Sequence, residues 1–336
     1  MLKLFQSNQP IVNVIITVIV LLLGLAVFLQ QIPAYSPHYF RFPDLFSFIN
    51  NHSFVRYLVW SFLIISEGIF LNYLVNKHKL FNQITHIPFI VFVLLNGLGS
   101  SLLVITPIHF VNLFVLLVLH QFFELYNTRK IPLVAFNIGL FVGVGAVFYL
   151  PSLFLLVLVA YVLRFLKPPY WKEYVVAVLG ALLPFVYVGV YQFLNNEPIN
   201  FSSIFFMNEI QEGVSNTTFA PIFNRFSGWG YYYLIGLLVV GGLILLLAFW
   251  EFIIGTQKSV VRIRKYRSVV MLLFVSYLIQ QVIFETSIIQ SSLILLLCIP
   301  VSIIFGEYFL VAKKKWWSEL IFILLVIAVL INLFLM

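Results

Sequence analysis

The chain has 336 residues, 62% hydrophobic and 9% charged, with a mean hydropathy of +1.08, whereas a soluble domain carries roughly 25% charged residues. That composition excludes a water-soluble globule, 37 phenylalanines exclude a disordered or collagen-like chain, and a single cysteine excludes an intrachain disulfide framework. The net charge of +8 would suggest nucleic acid in a soluble protein, but in a membrane chain it is first a topology signal, and no nucleic-acid partner is expected.

A helix crossing about 30 Å of hydrocarbon needs ~20 apolar residues. Eleven stretches qualify in chain order: 10–30, 55–76, 87–105, 107–126, 131–149, 151–167, 173–195, 230–254, 268–284, 287–311 and 317–335. The expected fold is all-α, a polytopic transmembrane bundle of about 11 spans forming one integral membrane domain over 1–336. Within it, a 7-span module covers about 1–195, an outer loop about 196–229 and a 4-span part about 230–336. Thr106-Pro107 and Tyr149-Leu150-Pro151-Ser152 make the tightest divisions, since proline either separates or kinks membrane helices. The first span reads as an uncleaved signal anchor.

Cytoplasmic loops carry the Lys and Arg of a membrane protein. With the N-terminus inside, 16 of the 19 basic residues fall on the inner side, and only Arg41, Arg56 and Arg225 fall outside. The C-terminus is then outside. Lys258–Arg267 reads as a topology-setting inner loop, with lipid or partner binding as its alternative.

The first long outer stretch, 31–54, contains His38, Arg41, Pro43, Asp44 and His52. Pro43 can start a helix in which Leu45, Phe46, Phe48 and Ile49 form an apolar stripe, a short helix lying in the membrane surface. Asp44, the chain's sole aspartate, is open to three readings. It can act as a first-turn residue favoured by the helix dipole, as a partner of Arg41, or as a general base or cation-holding carboxylate. His38, Asp44 and His52 match no compact metal motif, and no metal ligands are assigned.

Ionisable side chains inside a bilayer are costly and draw functional suspicion. Glu67, His120, Glu124 and Asn137 form the expected intramembrane polar cluster, with Asn72 beside it, as a proton relay or as a network fastening spans two, four and five. Gly139-x-x-x-Gly143, Asn96-Gly-Leu-Gly99 and Gly241-Gly242 allow close helix packing. The second long outer stretch, 196–229, offers Phe201, Ile204, Phe205 and Phe206 near helical spacing, then Glu209 and Glu212. Gln280, Gln281, Glu285 and Gln290 surround an outer turn, and Cys298 reads as a packing residue.

Lys3 to Pro10, Phe136 to Gly143 running into Phe148-Tyr149-Leu150-Pro151-Ser152, Arg164 to Glu173, and Leu179-Gly180-Ala-Leu-Leu-Pro184 resemble an uncharacterised multi-pass membrane family of Bacteroidota. The general layout is also similar to the GT-C superfamily of polyprenyl-phosphate-sugar-dependent glycosyltransferases. In those proteins a carboxylate in the first outer loop commonly carries catalysis among membrane-surface helices. By position Asp44 takes that role, although a single Asp stands where GT-C enzymes often show an acidic pair.

The resemblance implies a protein of the bacterial inner membrane acting at its outer face on a lipid-linked sugar. Asp44 would be the catalytic carboxylate, Arg41 or Arg56 a phosphate contact, Glu209 or Glu212 a substrate-side helper, and a divalent cation a possible cofactor. The alternatives are a non-catalytic subunit that binds membrane protein partners and a proton-coupled transporter using Glu67, His120 and Glu124.

Overall fold

The computed structural model describes residues 2–7, 9–29, 43–98, 105–126, 128, 130–166, 170–194, 229–284, 294–312 and 315–335. Among them the regular structure is entirely helical. In chain order the helices are α1 (Leu2–Phe5), α2 (Ile11–Leu29), α3 (Pro43–Asn51), α4 (Ser53–Lys77), α5 (Ile87–Leu98) and α6 (Pro107–Leu125). There follow α7 (Ile131–Phe148), a 3-10 turn (Leu150–Phe154), α8 (Leu155–Leu166) and α9 (Trp171–Leu194). The chain continues with α10 (Trp229–Lys258), α11 (Val261–Phe284), α12 (Ile294–Val311) and α13 (Lys315–Leu335).

Over their described residues, each of the eleven expected apolar stretches contains a helix. Six helices, α4, α6, α7, α9, α11 and α13, are long and apolar enough to cross a membrane, and shorter apolar segments lie in α2, α5, α8 with its preceding turn, and α12. The largest boundary difference from the sequence reading is at α11. Helix α11 begins at Val261, so Arg262 to Arg267 form its first turns instead of a loop. The reason is local: a β-turn or loop needs breakers, and the run Val-Arg-Ile-Arg-Lys-Tyr-Arg contains none while its Lys and Arg are good helix formers.

The helix ends follow ordinary rules. Pro107 starts α6 at a position where its missing N–H costs nothing, and the Thr106 N–H donates to His109 Nδ1 at 3.2 Å. Helix α4 stops at a Schellman turn: Leu80 N–H donates to Val75 O at 3.0 Å and Lys79 N–H to Asn76 O at 3.2 Å, with Lys79 at φ 52°.

Side-chain contacts sort the helix ends into two groups. At one end, here the Lys77 end, Thr85 and His86 bond to Phe5, Gln6 to Phe309, Lys77 to Glu124, Tyr266 to Phe123, Lys265 to Leu166 and Arg267 to Leu80. At the other, here the Asn50 end, Asn50 bonds to Ile105, and Phe110 stacks on Phe148. Successive apolar helices therefore alternate in direction. The closest pair is α7 with α9: a Cβ on Gly139, Gly143 or Gly180 would run into the backbone of the facing helix, at Ala177, Ala181 and Phe136 respectively. Gly241 and Gly242 of α10, by contrast, have nothing within 4 Å among the described residues.

Candidate functional site

At the Asn50 end, α3 is clamped to the bundle. Its apolar stripe splits as its amphipathic sequence requires, with Phe46 and Ile49 buried and Leu45 and Phe48 exposed. The Asn50 amide donates to Ile105 O at 3.0 Å and accepts from Ile105 N–H at 2.8 Å, so one side chain pairs both polar groups of a backbone unit ahead of α6. Arg56, on the first turn of α4, is 2% exposed and donates through Nη1 to Asn50 O at 2.9 Å, which satisfies a C-terminal carbonyl of α3. Phe46 meets the Phe110 ring edge-on at 5.9 Å. These contacts fix the path of α3, whose first turn carries Asp44. The Asp44 side chain, together with Arg41, Glu209 and Glu212, lies outside the described residues.

In the middle of α4, Glu67 is fully buried, and neither carboxylate oxygen has a hydrogen-bond partner among the described residues. Packing around it is tight, since the Phe89 ring fills the space where a Cβ on the adjacent Gly68 would go. Asn72, one turn and a half further on, bonds to His86 Nδ1 at 3.0 Å. Tyr277 and Gln280 of α11 also bury polar atoms without partners among the described residues, so Gln280 belongs to the interior and not to a wet turn.

At the Lys77 end, His120 and Glu124 share one face of α6, as their i, i+4 spacing dictates. The structure adds two residues from the end of α4. Lys77 Nζ pairs with Glu124 Oε1 at 2.8 Å, and His78 lies between the Phe123 and Tyr266 rings, with centroid separations of 5.0 and 5.5 Å, and 6.1 Å from the His120 ring. Desolvation pushes the His78 imidazole down to about 4, against the opposing pull of Glu124, so the ring is neutral near pH 7. Sequence reasoning missed His78 because it is flanked by lysines and far from His120 in the chain; its place directly after an apolar stretch was the available signal. Glu67 and Asn137 do not join this group, and the Asn137 side chain makes no hydrogen bond among the described residues. The inner polar set is thus divided into an isolated midspan carboxylate and a cluster at one helix end.

A second polar pair lies close by. Arg267 Nη1 meets Glu307 Oε1 at 2.6 Å, both side chains 4% exposed, while Arg267 Nε and Nη2 donate to Leu80 O at 3.0 and 2.7 Å. The Schellman turn that ends α4 presents this carbonyl. Glu307 stands inside an apolar run without any motif, which is why sequence reading passed over it.

The bundle of apolar helices defines a helical membrane protein, with ion pairs at its Lys77 end and, among the described residues, the fully buried Glu67 carboxylate without a hydrogen-bond partner. Residues 44–336 match a family of unknown function, DUF6427, and the chain belongs to that family. No curated protein and no solved structure matches it.

Proposed function

We propose that all eleven apolar helices cross the bacterial inner membrane, with the Lys77 end inside and the Asn50 end outside, and that the protein is a GT-C-like glycosyltransferase acting at the outer face. The sidedness rests on the positive-inside rule, because the basic inter-helix segments gather at the Lys77 end. The observation that carries the activity is the mounting of α3: Asn50, Arg56 and Phe46 hold a membrane-surface helix rigidly against α4 and α6, with the chain's sole aspartate in its first turn. A catalytic carboxylate needs such a fixed support, since small misplacements cost large factors in rate.

The donor is a sugar on polyprenyl phosphate. Asp44 takes the proton from the acceptor hydroxyl as its oxygen bonds to the sugar's anomeric carbon, and the bond from that carbon to the phosphate oxygen breaks, releasing polyprenyl phosphate. Alternatively Asp44 holds a divalent cation against the leaving phosphate. Arg41 serves as a phosphate contact and Glu209 or Glu212 as a substrate-side helper. Arg56, buried and bonded to Asn50, serves α3 as a positioning residue.

Purified protein in proteoliposomes with a radiolabelled polyprenyl-phosphate hexose and a lipid acceptor tests this by release of polyprenyl phosphate. Asp44→Asn should lower turnover by a factor of about 10²–10⁴ at unchanged protein level. Turnover by Asp44→Asn at the wild-type rate refutes the assignment. A wild-type protein that turns nothing over but co-purifies with a stoichiometric membrane partner replaces it with the subunit reading. Glu67 favours a second reading, proton-coupled transport, because a buried midspan carboxylate with no hydrogen-bond partner among the described residues is costly and draws functional suspicion; proton uptake by proteoliposomes that is lost in Glu67→Gln is its signature.

A further inference from the structure

The geometry points to a divalent transition-metal site at the Lys77 end, with His78, His120 and Glu124 as its ligands. Each residue offers one ligand atom, and the three atoms lie within 4.8 Å of one another. In a tetrahedral site with bonds of about 2.0–2.1 Å the ligand atoms stand ~3.3 Å apart, so small side-chain rotations close the cluster around an ion. His120 and Glu124 occupy one face of α6, and His78 is fixed by its own N–H, which donates to Leu74 O at 3.1 Å.

Packing alone accounts for the burial of the His78 ring among Phe123 and Tyr266. It does not account for the polar atoms. His78 is 6% exposed and its Nε2 has no hydrogen-bond partner among the described residues, and His120 Nδ1 on α6 is likewise buried without one among them. Two imidazoles of separate elements, each with a buried ring nitrogen that has no partner among the described residues and each with a ligand atom within 4.8 Å of one on Glu124, form a donor set that a cation satisfies. Its chemistry selects the ion. Two nitrogens and one oxygen suit Zn²⁺, Co²⁺ or Ni²⁺, whereas Mg²⁺ and Ca²⁺ take shells of oxygen. Three protein ligands leave a fourth position open for water or a bound group.

Lys77 is the competitor. It holds Glu124 Oε1 at 2.8 Å, but both side chains are more than a third exposed, so solvent screens the ion pair and leaves it weak. Metal binding therefore draws Glu124 away from Lys77 at little cost, and links the turn after α4 to the end of α6. The site is at the opposite end of the bundle from Asp44 and does not depend on the glycosyl-transfer reading.

The test is Co²⁺ titration of the detergent-purified full chain, prepared without a histidine tag and stripped with chelator, followed by visible absorption and thermal unfolding. One equivalent is expected to bind with the bands of four- or five-coordinate Co²⁺, to be displaced by Zn²⁺, and to raise the Tm. His78→Phe and His120→Ala should each weaken binding at least about tenfold, and Lys77→Met should tighten it by freeing Glu124. If His78→Phe does not fold, His120→Ala and Glu124→Gln, both at partly exposed positions, carry the comparison. Absence of saturable binding by the wild-type protein, or binding that His120→Ala and Glu124→Gln leave unchanged, overturns the site.

Discussion

Arg267→Met is the most informative single perturbation of the fold. The Arg267 guanidinium joins three parts of the bundle: it pairs with Glu307 of α12 at 2.6 Å, donates twice to Leu80 O beyond α4, and lies 5.7 Å from the Phe252 ring of α10. With both charged side chains 4% exposed, truncating one leaves the other as an uncompensated buried charge, which costs about 3–5 kcal/mol. The stranded Leu80 carbonyl acts in the same direction, by about 1–3 kcal/mol where no water replaces the donor. The double variant Arg267→Met/Glu307→Leu removes both charges and leaves only that carbonyl unpaired, so it should recover most of the loss. Gly255→Ala reaches the same pair from α10, because its Cβ would sit 2.5 Å from Glu307 Oε1 and 3.0 Å from Arg267 Nη1. Equilibrium unfolding in mixed micelles of a mild detergent and SDS reads these differences as free energies. A loss under about 1 kcal/mol for Arg267→Met, or a double variant no more stable than the single, would refute the account of this pair.

Four further outcomes follow from local structure. Gly143→Ala should destabilise by about 1–3 kcal/mol through overpacking against Ala181, while Gly241→Ala should be neutral or stabilising by up to about 1 kcal/mol, measured by the same unfolding assay. Lys79→Gly should raise stability by ~1 kcal/mol, because Lys79 at φ 52° occupies a left-handed conformation that glycine adopts without strain. His86 is buried and held below its ordinary value by desolvation, so the unfolded chain binds the proton more readily than the folded one. Its contribution to stability is present above about pH 6.5 and is lost as pH falls below that; in Tm measured against pH, His86→Gln should reduce this slope.

Much of the bundle is legible in the sequence because the bilayer imposes it. A spanning helix needs ~20 apolar residues, so runs such as Ile131 to Phe148 announce themselves, and Gly139 with Gly143 marks the face where α7 meets α9. Gly241-Gly242 carried the same signal without a close neighbour among the described residues, since a small residue permits approach but does not supply the partner. The α3 helix was readable from Pro43 and its apolar stripe. Its clamp was not, because Asn50 and Ile105 are brought together only when α4 and α6 lie side by side. His78 and Glu307 were hidden for the same reason: their partners come from other helices, and neither sits in a local pattern. Arg267 was hidden by company, as one of five basic residues whose others suit a topology signal.

The sidedness of the two ends underlies the glycosyl-transfer reading, and the single cysteine makes it directly measurable. In a Cys298→Ala background, Asn51→Cys on exposed α3 and Val260→Cys on the exposed turn between α10 and α11 are treated with a membrane-impermeant maleimide on intact spheroplasts. The account predicts labelling of Cys at position 51 in intact spheroplasts and of Cys at position 260 only after permeabilisation; the reverse pattern, or labelling of both from the same side, would contradict it.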